Sequence, residues 1–112
     1  MRVDVRLRDL GLEDGQAEMI ERRVRFAFGR FAHRIRRAEV ILADVNGPRG
    51  GRDKHCTVRV MLTALPPVVV EVTDVEPMAA VSRAVERAAR HMRDNLNRRR
   101  DLQRLDRSAE HC

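Results

Sequence analysis

Apolar and polar residues alternate strictly over the first eight positions of the chain. The four apolar positions, Met1, Val3, Val5 and Leu7, are separated by charged residues. Side chains of a strand point alternately to the two faces of a sheet, so this period of two predicts a strand with one buried face. A short break follows at residues 9–12.

The apolar spacing changes to three and four residues from about Glu13. One stripe is formed by Ala17, Ile20, Val24, Ala27, Phe28, Phe31 and Ile35. This spacing predicts an α-helix that buries one face. Acidic residues lie towards its start and the arginines at positions 30, 34, 36 and 37 lie towards its end, which is the polarity that the helix dipole favours.

Three strand-like runs come next, at residues 38–45, 55–63 and 68–74. The sequence NGPRGGRD predicts an exposed hairpin loop between the first two, and Pro66–Pro67 predicts a turn before the third. Tight turns between consecutive strands favour an antiparallel meander. A helical period then returns at Glu76, with Pro77 in the first turn, and lasts at least to Leu96.

The element order is therefore β-α-β-β-β-α, which predicts an α+β fold. The first strand joins the meander in a four-stranded sheet, and both helices cover one face of it in order to bury their stripes. With 112 residues the chain is one domain. We place this domain at residues 1–97 and expect residues 98–112 to be a polar, frayed tail.

The second helix has two chemically different sides. At 100° per residue, its apolar arc contains Met78, Val81, Val85, Ala88, Ala89, Met92 and Leu96. Arg83, Arg87 and Arg90 fall opposite, at steps of four and three, and form a column of like charge. Arg99 returns to the apolar side, which predicts that the helix has left the core by that point.

The first helix carries its own outward arginines. Arg22, Phe26 and Arg30 point away from the apolar stripe, and Arg23 flanks it. Phe26 is open to three interpretations: it stacks on a base or a ribose, it packs in a homodimer, or it is a solitary exposed aromatic residue.

The charge distribution agrees with these two helices. The chain has a net charge of +6. Residues 13–37 carry seven basic and four acidic groups, and residues 83–107 carry nine and four, so the excess lies in the helical segments. Two Arg faces side by side suit the phosphates of a nucleic acid, whereas a merely solvated charged face is the alternative.

Catalytic and metal-binding patterns are missing from the sequence. The four histidines are scattered over different elements, and NGPRGGR lacks the ending of a phosphate-binding loop. His55 and Cys56 are adjacent in a strand and so face opposite sides. We therefore expect a protein that is not an enzyme, with no metal, no cofactor and no small-molecule substrate.

The location of the protein is inferred from its cysteines and its hydropathy. Cys56 and Cys112 are too few for a disulfide framework. No signal peptide and no apolar run near 18 residues is present, which predicts a cytoplasmic protein that does not bind a membrane.

Two stretches carry a family resemblance. Residues 76–94 read EPMAAVSRAVERAARHMRD and residues 20–31 read IERRVRFAFGRF. They resemble the patterns DLYAAIDRAVDKLERQLRK and VEEKLxKLEKF of the bacterial ribosome hibernation promoting factors, also called ribosome-associated inhibitor proteins. The resemblance covers about residues 1–97 and is to the short-type members, which have no C-terminal dimerisation domain. The family's usual Tyr is Met78 here, and its Asp in the second helix is Ser82.

The resemblance implies a fold similar to a double-stranded-RNA-binding domain and a function in the stress response. Such proteins dock in the decoding channel of the small ribosomal subunit, contact its RNA and block messenger and transfer RNA. The family's basic positions correspond to Arg23, Arg30, Arg83, Arg87, Arg90 and Arg93, and Arg22 is added on geometry alone. The alternatives are a generic RNA-binding module, or a protein-interaction or homodimerisation domain with a solvated Arg face.

Overall fold

A computed structural model describes residues 1–8, 15–44 and 54–110 of the chain, with side chains described as far as residue 100. Its elements are β1 (Arg2–Arg8), α1 (Gly15–Phe28), a 3₁₀ segment (Gly29–Arg34), β2 (Ile35–Asp44), β3 (Lys54–Leu62), β4 (Val68–Asp74) and α2 (Pro77–Glu110). The predicted Gly-rich hairpin at 46–53 and Cys112 lie outside the described residues. The predicted α+β fold and its element order are confirmed.

The sheet has the strand order β1-β2-β3-β4. Strands β2, β3 and β4 pair antiparallel, as the predicted meander requires, and β1 pairs parallel with β2. A parallel neighbour needs a crossover connection, and α1 supplies it. The register aligns Val5, Val40, Val58 and Val70 in one row across all four strands.

This valine row lies on the sheet face that both helices cover. Val40 and Val58 are fully buried beneath Ile20, Val24 and Phe28 of α1 and the apolar arc of α2. Cys56 lies on the same face, and its burial raises the pKa of its thiol to about 12. The opposite face is charged: Arg37 donates to Asp4 Oδ2 at 2.8 Å and to Glu39 Oε2 at 3.0 Å.

The first helix is shorter than the apolar stripe predicted. It ends at Phe28, and Gly29 begins the 3₁₀ segment, because glycine is a poor helix former. Ile35, the last residue of the predicted stripe, is instead the first residue of β2, where it is buried opposite Leu62. The α-helical assignment of residues 29–35 was therefore wrong. Ile35 follows Phe28 by seven residues, or two helical turns, so its spacing fits the helical stripe, but the residue is buried as part of a strand.

A carboxylate fixes the start of α2. Asp74 Oδ1 accepts a hydrogen bond from the Glu76 amide at 3.2 Å, and Asp74 Oδ2 accepts one from Arg83 Nη1 at 3.1 Å. The Ala80 amide then donates to the Glu76 carbonyl at 3.1 Å, so the helix begins with Pro77 in its first turn, as predicted.

One hydrogen bond joins the second helix to the turn between β3 and β4 beyond Leu96. Arg99 Nη1 donates at 3.1 Å to the carbonyl of Ala64, which lies in the turn between β3 and β4 with a φ of 60°. No described side chain of α2 after Met92 is buried, so the expectation that the helix has left the core by Arg99 agrees with the structure. The helix continues to Glu110.

Two phenylalanines separated by one residue give a direct measure of core packing. Phe28 is fully buried and Phe26 is 91% exposed. We expect Phe28→Ala to lower the free energy of unfolding by about 3–5 kcal/mol, since it leaves a cavity under α1. The matched control Phe26→Ala should change it by no more than about 0.5 kcal/mol. Urea denaturation followed by circular dichroism measures both, and equal losses would contradict the fold.

Asp74 gives the fold a defined sensitivity to acid. The Glu76 amide and then Arg83 hold the pKa of its carboxyl below the ordinary value of 3.8. A depressed pKa contributes stability above the unfolded-state pKa, and this contribution is lost as the pH falls through the folded-state value. We therefore expect Asp74→Asn to be less stable than the parent at neutral pH, with a difference that narrows below pH 3.8. Urea midpoints at a series of pH values measure this difference, and a constant difference would contradict the assignment.

Candidate nucleic-acid interface

A groove runs between α1 and α2 on the side away from the sheet. Its first part, of about 590 Å³, lies between Met19–Ala27 of α1 and Ser82–Glu86 of α2. Its second part, of about 380 Å³, lies between the 27–31 and 86–93 segments. The two parts share Ala27 and Glu86, so they are continuous. We call them together the inter-helix groove.

Five of the seven predicted site residues line the inter-helix groove. They are Arg22, Arg23, Arg30, Arg90 and Arg93, and the apolar lining between them includes Ala27, Phe31, Val85 and Ala89. The elements that carry these arginines are held by the sheet below, because Val24, Phe28, Ala88 and Met92 are fully buried. The site is therefore a basic rim around a narrow apolar floor.

Arg83 and Arg87, the other two predicted residues, do not line the groove. Ala80 and Ala84 are fully buried, whereas Met78 and Ala89 of the predicted apolar arc are only half-buried. The buried side of α2 is thus centred about 50° from the predicted direction. This rotation turns Arg90 and Arg93 towards α1 and Arg87 away from it. Arg83 forms an ion pair with Asp74.

The groove arginines differ in their partners. Arg23 Nη1 donates to Ser82 Oγ across the two helices. A hydroxyl orients this guanidinium without neutralising its charge, which a carboxylate at position 82 would do. Arg93 Nε lies 4.0 Å from Asp94 Oδ1. Within the described part of the chain, Arg22, Arg30 and Arg90 have no ion pair. Three guanidinium groups therefore remain available to an anionic ligand.

A third basic cavity continues the groove in the same direction. It has a volume of about 330 Å³ and is lined by His33, Arg34, Leu96, Asn97, Arg99 and Arg100. Arg34 Nε is buried and has no hydrogen-bond partner among the described residues. Arg100 Nη2 donates to Asn97 Oδ1 at 3.3 Å, and Arg99 is fixed on the Ala64 carbonyl. No acidic side chain lines this cavity.

Sequence reasoning missed this third cavity because it assigned Arg98, Arg99 and Arg100 to the tail. One signal was available: Arg99 lies on the apolar side of the helix, where a charged residue needs a polar partner. The contribution of the 3₁₀ segment could not be predicted from the sequence. His33 and Arg34 would point in other directions if α1 continued through them as an α-helix.

The dimensions and charge of the site define its ligand class. From Ser82 to Asn97 the three cavities follow α2 for about 22 Å. Both helices run in the same direction along this line, so the arginines border it throughout. A row of guanidinium groups of this length fits a chain of phosphates better than a single small anion.

Other kinds of site are not seen. The described side chains include no group of three or more metal-ligating residues. Within the described part of the chain, no helix is both long enough and apolar enough to cross a membrane.

The fold and the groove together define a small basic α+β domain, and comparison with solved structures gives its fold relatives. The N-terminal domain of Thermus thermophilus Protein Y is 24% identical, with a TM-score of 0.65, over 81% of this chain and 94% of that domain. A ribosomal subunit interface protein from Coxiella burnetii is 10% identical, with a TM-score of 0.68, over 87% of this chain and 99% of that one. Both are of the hibernation promoting factor family, so the resemblance seen in the sequence is confirmed at the level of the fold. No protein-family model and no curated protein sequence matches the chain.

Glu86 is the one acidic residue that lines the inter-helix groove among the described side chains, and it borders both of its parts. Its charge opposes a phosphate there. We expect Glu86→Gln to tighten binding to a polyanion by roughly two- to fivefold and to raise the salt concentration that elutes the protein from heparin. The control Glu71→Gln removes the same charge from the open face of the sheet. Equal shifts for both variants would show that heparin does not use the groove.

Proposed function

We propose that this protein binds the ribosome through the inter-helix groove and seats its arginines on RNA of the small subunit. The observation that carries the proposal is the convergence of Arg22, Arg23, Arg30, Arg90 and Arg93 on one groove. The fold supports it, since the Coxiella protein of the same fold is called a ribosomal subunit interface protein. The 1–97 segment carries the inter-helix groove and is the proposed functional unit, and Arg99 and Arg100 just beyond it complete the third cavity.

Binding would use the arginines chiefly as phosphate ligands. A guanidinium group pairs with two phosphate oxygens at once, and each neutralised phosphate releases condensed counterions. The sheet beneath α1 and α2 fixes the spacing of the backbone positions that carry the arginines before RNA arrives, so binding has to order the arginine side chains but not the helices. The third cavity would extend these contacts towards the end of the sheet.

The finer part of the proposal is the place of docking. We propose that the protein occupies the decoding channel and excludes messenger and transfer RNA, as the resemblance to the hibernation promoting factors implies. A domain that fills this channel would act as a translation inhibitor by occupancy alone. The inter-helix groove supplies both guanidinium groups and an apolar floor for such docking.

Co-sedimentation with purified small subunits in sucrose gradients tests the groove. We expect Arg30→Glu/Arg90→Glu to lose ribosome binding, because two free groove cations become anions that repel phosphate. The matched control is Arg6→Glu/Arg8→Glu, which makes the same change of charge on the exposed face of β1. Parent protein and control should sediment with the subunit at low salt, and their affinity should fall steeply as salt is added.

The possible outcomes test ribosome binding, the groove and the decoding channel separately. A parent protein that stays at the top of the gradient at low salt overturns ribosome binding. Equal binding of the two double variants overturns the groove, and loss of binding in Arg83→Glu/Arg87→Glu alone would assign the site to the other side of α2. Undiminished binding in the presence of saturating messenger and initiator transfer RNA would overturn the decoding channel.

A further inference from the structure

Phe26 is the most exposed large apolar side chain of the described structure. It is 91% exposed, whereas Phe28 is fully buried and Phe31 is half-buried. Its ring lines the first part of the inter-helix groove beside Met19, which is 51% exposed and lies two turns earlier on α1. The core makes no use of this ring, so it is open to a ligand in the groove.

Cations lie on both sides of the ring along the helix. Arg22 precedes Phe26 by four residues of α1, which is about 6 Å along the axis. Arg30 follows Phe26 by four residues and lies in the 3₁₀ segment, about 7 Å further along. Neither has an ion pair among the described residues. An open aromatic face between two free guanidinium groups is the arrangement with which proteins hold single-stranded nucleic acid, where bases stack on the ring and cations bind the backbone.

The charges argue against a second copy of the chain as the occupant. A two-fold interface centred on Phe26 would place Arg22, Arg23 and Arg30 of one copy against the same residues of the other. Like charges held together in an interface from which water is excluded cost several kcal/mol. An RNA strand supplies the opposite charge and a flat apolar surface in one ligand.

We propose that Phe26 is the stacking platform for one unpaired base, and that Arg22 and Arg30 bind the phosphates on either side of it. The inference rests on the proposed function, since it names the part of the RNA that the groove recognises. Bases within a duplex already stack on each other, so only an unpaired nucleotide can present a face to the ring. The site therefore distinguishes a splayed nucleotide from a regular helix of the same charge.

The composition of the chain provides a clean probe. The sequence contains no tryptophan and no tyrosine, so Phe26→Trp introduces a single indole at the proposed platform. Val69→Trp introduces the same fluorophore at an exposed position on the open sheet face. A single-stranded oligoadenylate and an RNA duplex of equal length are each titrated into both variants. Binding to purified small subunits is followed by co-sedimentation instead, because their proteins contain tryptophan.

Stacking predicts a specific pattern. The indole at position 26 is quenched by the oligoadenylate but not by the duplex at saturation, and the indole at position 69 is quenched by neither. In parallel binding assays, Phe26→Ala weakens binding to the single strand by roughly 5- to 150-fold. Phe26→Tyr retains binding, whereas Phe26→Leu, which keeps apolar area but has no aromatic face, does not.

Several results would overturn the inference. They are equal quenching by duplex and single strand, parent-like binding by Phe26→Leu, and a spectral shift at position 26 that depends on protein concentration without RNA, which would indicate self-association. If small subunits bind Phe26→Ala as tightly as the parent, stacking fails while the proposed function stands. If the parent protein binds neither RNA nor small subunits, both fail together.

Discussion

Burial of the two helices on the valine face of the sheet is the constraint on which the rest of the structure depends. Val40 and Val58 lie at the centre of a four-strand row, and the apolar sides of α1 and α2 exclude water from it. Once these sides are buried, the remaining helix surface must face outward, and that surface is rich in arginine. Removal of apolar area from water thus positions the cationic groups, although electrostatics alone would drive them apart.

Small side chains set the orientation of α2 within this packing. Ala80 and Ala84 are fully buried on one side of its arc, and Ala88 lies on the same side. Alanine lets a helix approach a sheet closely, so the burial is centred there and not on the bulkier Met78. The rotation that results brings Arg90 and Arg93 to the groove. One buried stripe of alanines therefore decides which arginines meet those of α1.

The inter-helix groove has the features of a site built for an external anion. Its arginines have few intramolecular partners in the described structure, and Arg23 is oriented by the neutral hydroxyl of Ser82. Two arginines outside the groove have carboxylate partners: Arg37 contacts two carboxylates on the open face of the sheet, and Arg83 is paired with Asp74. What distinguishes the groove is the number of arginines that it brings together around an apolar floor.

The sequence by itself determined the element order, the sheet and four of the arginines at the groove, because period and charge along a helix are local properties. The fifth, Arg93, was indicated by the family resemblance alone. Only the tertiary structure decided the place of Ile35 in β2 and the direction of Arg87. Apolar spacing indicates that a residue is buried, but it does not indicate whether a helix or a strand carries it or which element it packs against. The contact of Arg99 with Ala64 had the same cause, since it joins residues 35 positions apart in the chain. Such partners are chosen by the packing of the whole domain, which no local window contains.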